Sequence, residues 1–150
     1  MKRLFLSLAL LVSVFSIAHG QGQIHKLQSI FIYNFTKHIE WPKEARQDNF
    51  TIGVIGSTPL KQELEKLARN KKVDNRTMEV ETYSSVDAIG EPHILFIPKG
   101  QADNLDAIKN KVENSHTLTI SETPGAAKNG VAINFVVRNN RQKFELNPSV

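Results

Sequence analysis

Apolar residues between positions 23 and 41 recur at three- and four-residue steps: Ile24, Leu27, Phe31, Phe35 and Ile39. That spacing puts them on one face and predicts a helix over 23–41. Phe31 and Phe35 are expected in the core. Ile30, Ile32 and Tyr33 widen the apolar surface beyond a single stripe. Trp41-Pro42 closes the segment, because a residue before proline avoids the helical region. Phe50 to Ile55 is a short apolar run with β-branched residues, which predicts a buried strand. Thr58 can then cap a helix whose first residue is Pro59, where a missing N–H costs nothing. Leu60, Leu64, Leu67 and Ala68 form its inward stripe.

Further on, Asp74-Asn75 reads as a turn. Thr77 to Tyr83 alternates, with Met78, Val80 and Thr82 on one face, and predicts a half-exposed strand near an edge. His93 to Ile97 is a buried strand stopped by Pro98, and Thr117 to Ile120 is another. Leu105, Ile108 and Val112 mark an amphipathic helix between them. Val131 to Val137 is apolar almost throughout and reads as a central strand. Asn139-Asn140 then turns the chain, since asparagine tolerates positive φ, and Lys143 to Leu146 returns antiparallel. This succession predicts a three-layer α/β domain with a mainly parallel central sheet, right-handed crossovers and a C-terminal antiparallel hairpin.

The N-terminus changes the picture of where the chain works. Lys2 and Arg3 precede an uncharged apolar run from Leu4 to Ala18, and Ala18 and Gly20 suit a cut before Gln21. Residues 1–20 therefore read as a cleaved secretory signal peptide, and 21–150 as one domain. The run is shorter than the roughly 20 residues of a spanning helix. The full chain has a formal charge of +4; without the signal it holds 17 basic against 15 acidic residues, or +2. A weak, mixed charge gives no case for nucleic acid. With no cysteine, the core must hold an exported fold unaided, and thiol catalysis and thiolate metal sites are excluded.

Catalytic chemistry is not written into the spacing. His25, His38, His93 and His116 form no i+2, i+3 or i+4 pair, so no local metal site is present. His25 and His38 are expected on the solvated side of the first helix. Gly53-Val54-Ile55-Gly56 lacks the third glycine and the lysine of phosphate-binding loops. Ser57, Ser84, Ser85 and Ser121 fall at strand ends without a nucleophile elbow. No catalytic residue, metal or cofactor is assigned.

Five segments in order carry a family resemblance. They are Ile30-Phe31-Ile32-Tyr33-Asn34-Phe35-Thr36-Lys37-His38-Ile39-Glu40-Trp41-Pro42, Phe50-Thr51-Ile52-Gly53-Val54-Ile55-Gly56, His93-Ile94-Leu95-Phe96-Ile97, Ala126 to Phe135, and Lys143-Phe144-Glu145-Leu146-Asn147. Together they resemble the YfiR-like family over nearly all of residues 21–150. The resemblance implies a periplasmic α/β protein without catalytic activity that acts on an inner-membrane sensor protein. The best-known member represses a diguanylate cyclase through its periplasmic portion, which lowers cyclic di-GMP, and relatives are expected to serve histidine kinases. Two departures stand out. Some relatives carry disulfides, which this chain cannot form. Relatives usually continue past the strand at Phe144-Glu145-Leu146-Asn147 into a helix, whereas this sequence stops at Val150.

These features support two functional readings. The first is a non-enzymatic regulator, with Tyr33 and Trp41 as partner-binding residues because each joins an apolar body to a hydrogen-bonding tip. Its candidate partners are the inner-membrane sensor and a second copy of the chain. The alternative is a periplasmic small-ligand carrier or sensor, since open α/β sheets bind ligands beyond their strand C-termini. There, Thr58 and Lys99 are the candidate ligand-binding residues, for a small acidic ligand at the loops Gly56-Ser57-Thr58, Tyr83-Ser84-Ser85, Pro98-Lys99-Gly100 and Ser121-Glu122-Thr123.

Overall fold

The computed structural model describes residues 22–46 and 48–149; the expected signal peptide lies outside them. A seven-stranded sheet runs through the molecule in the order β2-β3-β1-β4-β5-β6-β7. Its strands are β1 (Phe50–Ile55), β2 (Lys72–Val73), β3 (Arg76–Tyr83), β4 (Ile94–Ile97), β5 (Leu118–Ser121), β6 (Ile133–Arg138) and β7 (Arg141–Leu146). β3, β1, β4, β5 and β6 pair in parallel, while β2 and β7 are antiparallel edge strands. The mainly parallel α/β architecture with a closing hairpin is therefore as the sequence predicts.

Helix α1 covers residues 22–35, followed by α2 (Leu60–Ala68) and α3 (Leu105–Val112). The first packing layer joins Ile32 of α1 and Leu60 and Leu64 of α2 to Ile52, Val54, Ile94, Phe96, Ile120 and Phe135. The opposite face holds Leu105, Ile108 and Val112 of α3 against Ile55, Leu95 and Ile97. β1 leads through α2 toward one edge, and β4 leads through α3 toward the other. Crossovers of one hand that travel in opposite directions must leave their helices on opposite faces, which gives the three layers.

Four details depart from the sequence pattern. α1 stops at residue 35 rather than 41. Tight turns from Lys37 and His38 to the carbonyls of Asn34 and Phe35 end it, and the next segment folds back so that Trp41 enters the core. Its buried face also differs: Gln28, Ser29, Ile32 and Thr36 are the buried positions, Phe31 and Phe35 are half-buried on one flank, and Leu27 is 39 % exposed. Ser29 and Thr36 are small, and each hydroxyl donates to the carbonyl three residues back (2.8 and 2.7 Å), so they can be buried without an unpaired hydroxyl. On β3, Thr82 is exposed and Tyr83, on the other face, is buried. Tyr83 fits because Gly53 has no side chain; a Cβ there would lie 2.5 Å from the tyrosine ring. Finally, β6 is next to the edge rather than central, and Val137 is 58 % exposed.

Candidate functional site

The two ends of the parallel sheet are finished differently. At the N-terminal end of the strands, Trp41 is 4 % exposed and stands edge-on to Phe50 with ring centres 5.0 Å apart. Its indole N–H is shared between the carbonyls of His116 (3.0 Å) and His93 (3.3 Å). A partner would therefore find no indole at this surface: burial consumes both the apolar body and the polar tip that suggested an interface role.

His93 stacks on Phe50 at 4.5 Å. Its Nδ1 accepts from the Thr51 amide (3.1 Å), so the proton sits on Nε2, which donates to the Ala45 carbonyl at 2.5 Å. Arg76 Nη1 donates to the same carbonyl at 3.1 Å. With two donors converging on one oxygen, the contact between Arg76 and His93 Nε2 is a close approach and not a hydrogen bond. Burial, helped by the Arg76 charge, holds the His93 pKa below its ordinary value against the opposing pull of the Ala45 bond and Asp48. His93 thus acts as a neutral bracket between β1 and the segment after Pro42. Beside it is a cleft of about 290 Å³, lined by Glu44, Ala45, Asp48, Glu91, Pro92, His93 and His116.

At the C-terminal end, the strands deliver their loops along one edge. β1 pairs with β3 on one side and β4 on the other, so the crevice where the chain reverses its direction of winding lies between the loops after β1 and β4. Ligands of open α/β sheets characteristically bind in such a crevice, and Thr58 and Lys99 flank it. Pro59 already has helical angles (φ −61°, ψ −23°), and the Leu60 amide donates to Thr58 Oγ1 at 3.3 Å, so Thr58 caps α2. The crevice itself is filled by Gln101. Gly56 (φ +74°) approaches so closely that a Cβ there would lie 2.8 Å from Gln101 Nε2.

The larger opening lies one step along the sheet. β6 runs on past the end of β5, pairing with it only through Ile133 and Asn134. The space above β5 is a groove of about 590 Å³, walled by Ile24 and Gln28 of α1, the Lys99, Glu122 and Lys128 loops, and the β6–β7 hairpin. Lys99 lines it and Thr58 does not. Gln28, 2 % exposed, donates to Glu122 at 3.4 Å and to Gln142 at 3.5 Å. Its Oε1, Thr123 Oγ1 and Asn134 Oδ1 are buried without a hydrogen-bond partner among the described residues. Arg138 pairs with Glu145. Gln28 is noticeable in the sequence, since it interrupts the apolar row Ile24, Phe31, Phe35; the convergence of Glu122 and Gln142 on it depends on tertiary structure.

The order of these features along the chain decides the family. A family model described as YfiR/HmsC-like matches residues 25–150, which takes in α1, the whole sheet and both ends just described. The chain belongs to the YfiR/HmsC-like family. No curated protein matches the chain. The YfiR/HmsC-like family is one of periplasmic regulators that act with membrane signalling proteins, and its known role is regulatory and not catalytic. Among the described residues of this member, no helix is long and apolar enough to cross a membrane.

Tyr33 lies on the other flank of α1. It is half-buried, donates to the Lys72 carbonyl at 3.3 Å, and carries Lys37 Nζ over its ring at 4.8 Å. Beside it, Leu27 and Ile30 are 39 % and 41 % exposed. The outer surface of α1 therefore offers the apolar side chains of Leu27 and Ile30 to solvent, with Tyr33 at the margin.

Proposed function

We propose that this chain is an exported regulator. After losing residues 1–20 it acts in the periplasm on the outward-facing portion of an inner-membrane signalling protein, a diguanylate cyclase or a sensor kinase. The observation that carries the reading is the family match over residues 25–150. The exposed side of α1, with Leu27, Ile30 and Tyr33, is the surface we assign to the partner; Trp41 serves it indirectly by fixing the chain after the helix. The test is co-purification of the tagged protein with detergent-solubilised inner membrane, together with cyclic di-GMP measured in cells with and without the gene. The expected result is a membrane signalling protein captured by wild type and lost with a folded Tyr33→Ala. Unchanged capture by Tyr33→Ala removes Tyr33 from the surface, and capture of no membrane protein with unchanged signalling overturns the regulatory reading.

A second reading, a small-ligand carrier or sensor, is favoured by the groove beside Lys99 and the unpaired buried Oε1 of Gln28 in its wall. A buried acceptor without a donor costs about 1–3 kcal/mol, and a ligand bearing both an N–H or O–H donor and an acidic group would satisfy Gln28 and reach Lys99. The Thr58 hydroxyl contributes less to this reading than its position suggests, since the Leu60 amide occupies it. Thermal shift with a panel of small acidic metabolites checks the reading. At a hundred times its Kd a true ligand adds about 2.7 kcal/mol of stability, and Lys99→Ala should weaken it. A panel without any stabilising member counts against this reading.

A further inference from the structure

The weak net charge of the chain hides an uneven distribution. A groove of about 410 Å³ runs between α1 and the C-terminal end of α2. Ile30, 41 % exposed, and the half-buried Leu67 form its apolar part, and Lys26, Lys66 and Lys71 stand along it. Lys26, Ile30 and Tyr33 follow one another at four- and three-residue steps and so share a helix face. Lys37 continues that row past the helix end, with its Nζ 4.8 Å from the centre of the Tyr33 ring. All four lysines are exposed. Lys66 pairs with Glu63 at 2.6 Å. Among the described residues, no carboxylate lies within ion-pair distance of Lys26, Lys37 or Lys71. Without residues 1–20 the whole chain carries a formal +2, so these three uncompensated cations leave the rest of the molecule with no positive excess.

The chemistry of the cations separates the possible occupants. Protein interfaces are enriched in arginine and depleted of lysine, and every cation lining this groove is a lysine. An ammonium on a flexible four-carbon stem suits a layer of phosphates, because the stem covers apolar surface while the charge reaches the headgroups. Ile30 adds a shallow apolar contact between the lysines, of the kind found on helices that lie in a membrane interface. We propose that this face of α1 and α2 rests on an anionic phospholipid surface. Ile30 and Leu67 lie at the headgroup boundary, and Lys26, Lys37, Lys66 and Lys71 meet lipid phosphates. Leu27 is turned about 100° from Lys26 around the helix, so it stays available to the signalling protein to which the outer side of α1 is assigned above. The regulator would then sit on the bilayer beside its partner.

The test contains no signalling protein, so its failure is separate from failure of the regulatory reading. The chain from residue 21 onward, which holds every element described above, is mixed with vesicles of phosphatidylcholine alone or with about 30 % phosphatidylglycerol. Bound protein is measured by co-sedimentation. The expected result is binding to the anionic vesicles only, lost between about 0.05 M and about 0.5 M salt as the charges are screened. Lys26→Gln and Lys71→Gln should each lower the partition coefficient about fivefold, and together about 25-fold. Lys111→Gln removes the same charge from an exposed position on α3, across the sheet, and should change it less than about twofold. Circular dichroism checks that all variants are folded. Equal binding to both kinds of vesicle, or binding to neither, overturns the proposal. An equal loss in Lys26→Gln and Lys111→Gln also overturns it, because net charge alone then governs attachment. Labelled poly-glutamate is the competing probe. If the chain ignores vesicles, and poly-glutamate binds wild type but not the Lys26→Gln, Lys71→Gln double variant, the face belongs to an acidic protein segment and the lipid assignment falls.

Discussion

The sheet's two rims are made with the same device and finished in opposite ways. β2 meets β3 through Asp74-Asn75, and β6 meets β7 through Asn139-Asn140. All four turn residues have φ between +49° and +64°, the left-handed pair that suits the twist of a two-residue hairpin. Beyond the turns the likeness ends. β2 is two residues long, its Val73 is buried, and Tyr33 already occupies the Lys72 carbonyl. β7 is six residues long and shows Phe144 and Leu146 to solvent. Shortness is among the ordinary means of blunting an edge, and this molecule applies it on one side only. Turn chemistry decides that a hairpin forms; the length and side chains of the outer strand decide whether the edge is closed.

The largest effect is expected away from both rims, at the N-terminal end of the middle strands. Trp41→Ala empties a buried site beside Phe50 and His93 and should destabilise the protein by about 3–5 kcal/mol in urea unfolding monitored by circular dichroism. A loss below about 1 kcal/mol would mean the site collapses or refills, contrary to its packing. At the open side, Phe144→Ala should cost less, about 1–2 kcal/mol, because the ring is only partly covered by Phe31 and Phe35. A cost equal to that of Trp41→Ala would erase the difference between the two regions.

Acid should single out the same end of the middle strands. The His93 pKa is depressed in the folded state relative to the ordinary 6.5, so the unfolded chain takes up the proton first as pH falls. His93 then contributes its full stability above about pH 6.5 and loses it as pH drops from there through the lower folded value. Stability measured across this window should slope more gently in His93→Gln than in wild type, and an identical slope would show that another group controls it. The smallest effect is expected at the shared turns. Asn75→Gly and Asn140→Gly relieve a left-handed side chain but loosen the unfolded chain, so each should shift stability by less than about 1 kcal/mol. Equal small shifts at both turns would leave strand length and surface chemistry as the source of the contrast.

Much of the fold is legible in the sequence because buried parallel strands are apolar runs and α2 and α3 are plain stripes. Other features are hidden for identifiable reasons. β2 is too short to leave a pattern. Gln28 and Ser29 of α1 and Thr36 just after it are buried, which inverts the usual reading of a helix, because small hydroxyl residues can bond their own backbone while the neighbouring phenylalanines reach the sheet from the flank. Trp41 resembles an anchor for a partner in the sequence because its indole N–H has no local acceptor; the acceptors are the carbonyls of His93 and His116, distant along the chain. The edge carrying Thr58 and Lys99 is predictable from the strand order. That Gln101 fills the crevice there, and that the open groove lies beside β6, depends on side chains that no local pattern relates.

One consequence of the strand order is a matter of time. Two pairings are made across two-residue turns, β2 with β3 and β6 with β7, and hairpins of this kind close in about 1–10 μs. The parallel middle must wait: Phe50 has to find Met78, and Ile52 has to find Ile94, each across a loop whose closure slows the search. The rims can therefore exist before the sheet that joins them. During that interval β7 is a formed strand with an open outer side, and a neighbouring chain competes with β5 for β6. Refolding yield should consequently fall as protein concentration rises, even under conditions where the finished molecule is stable.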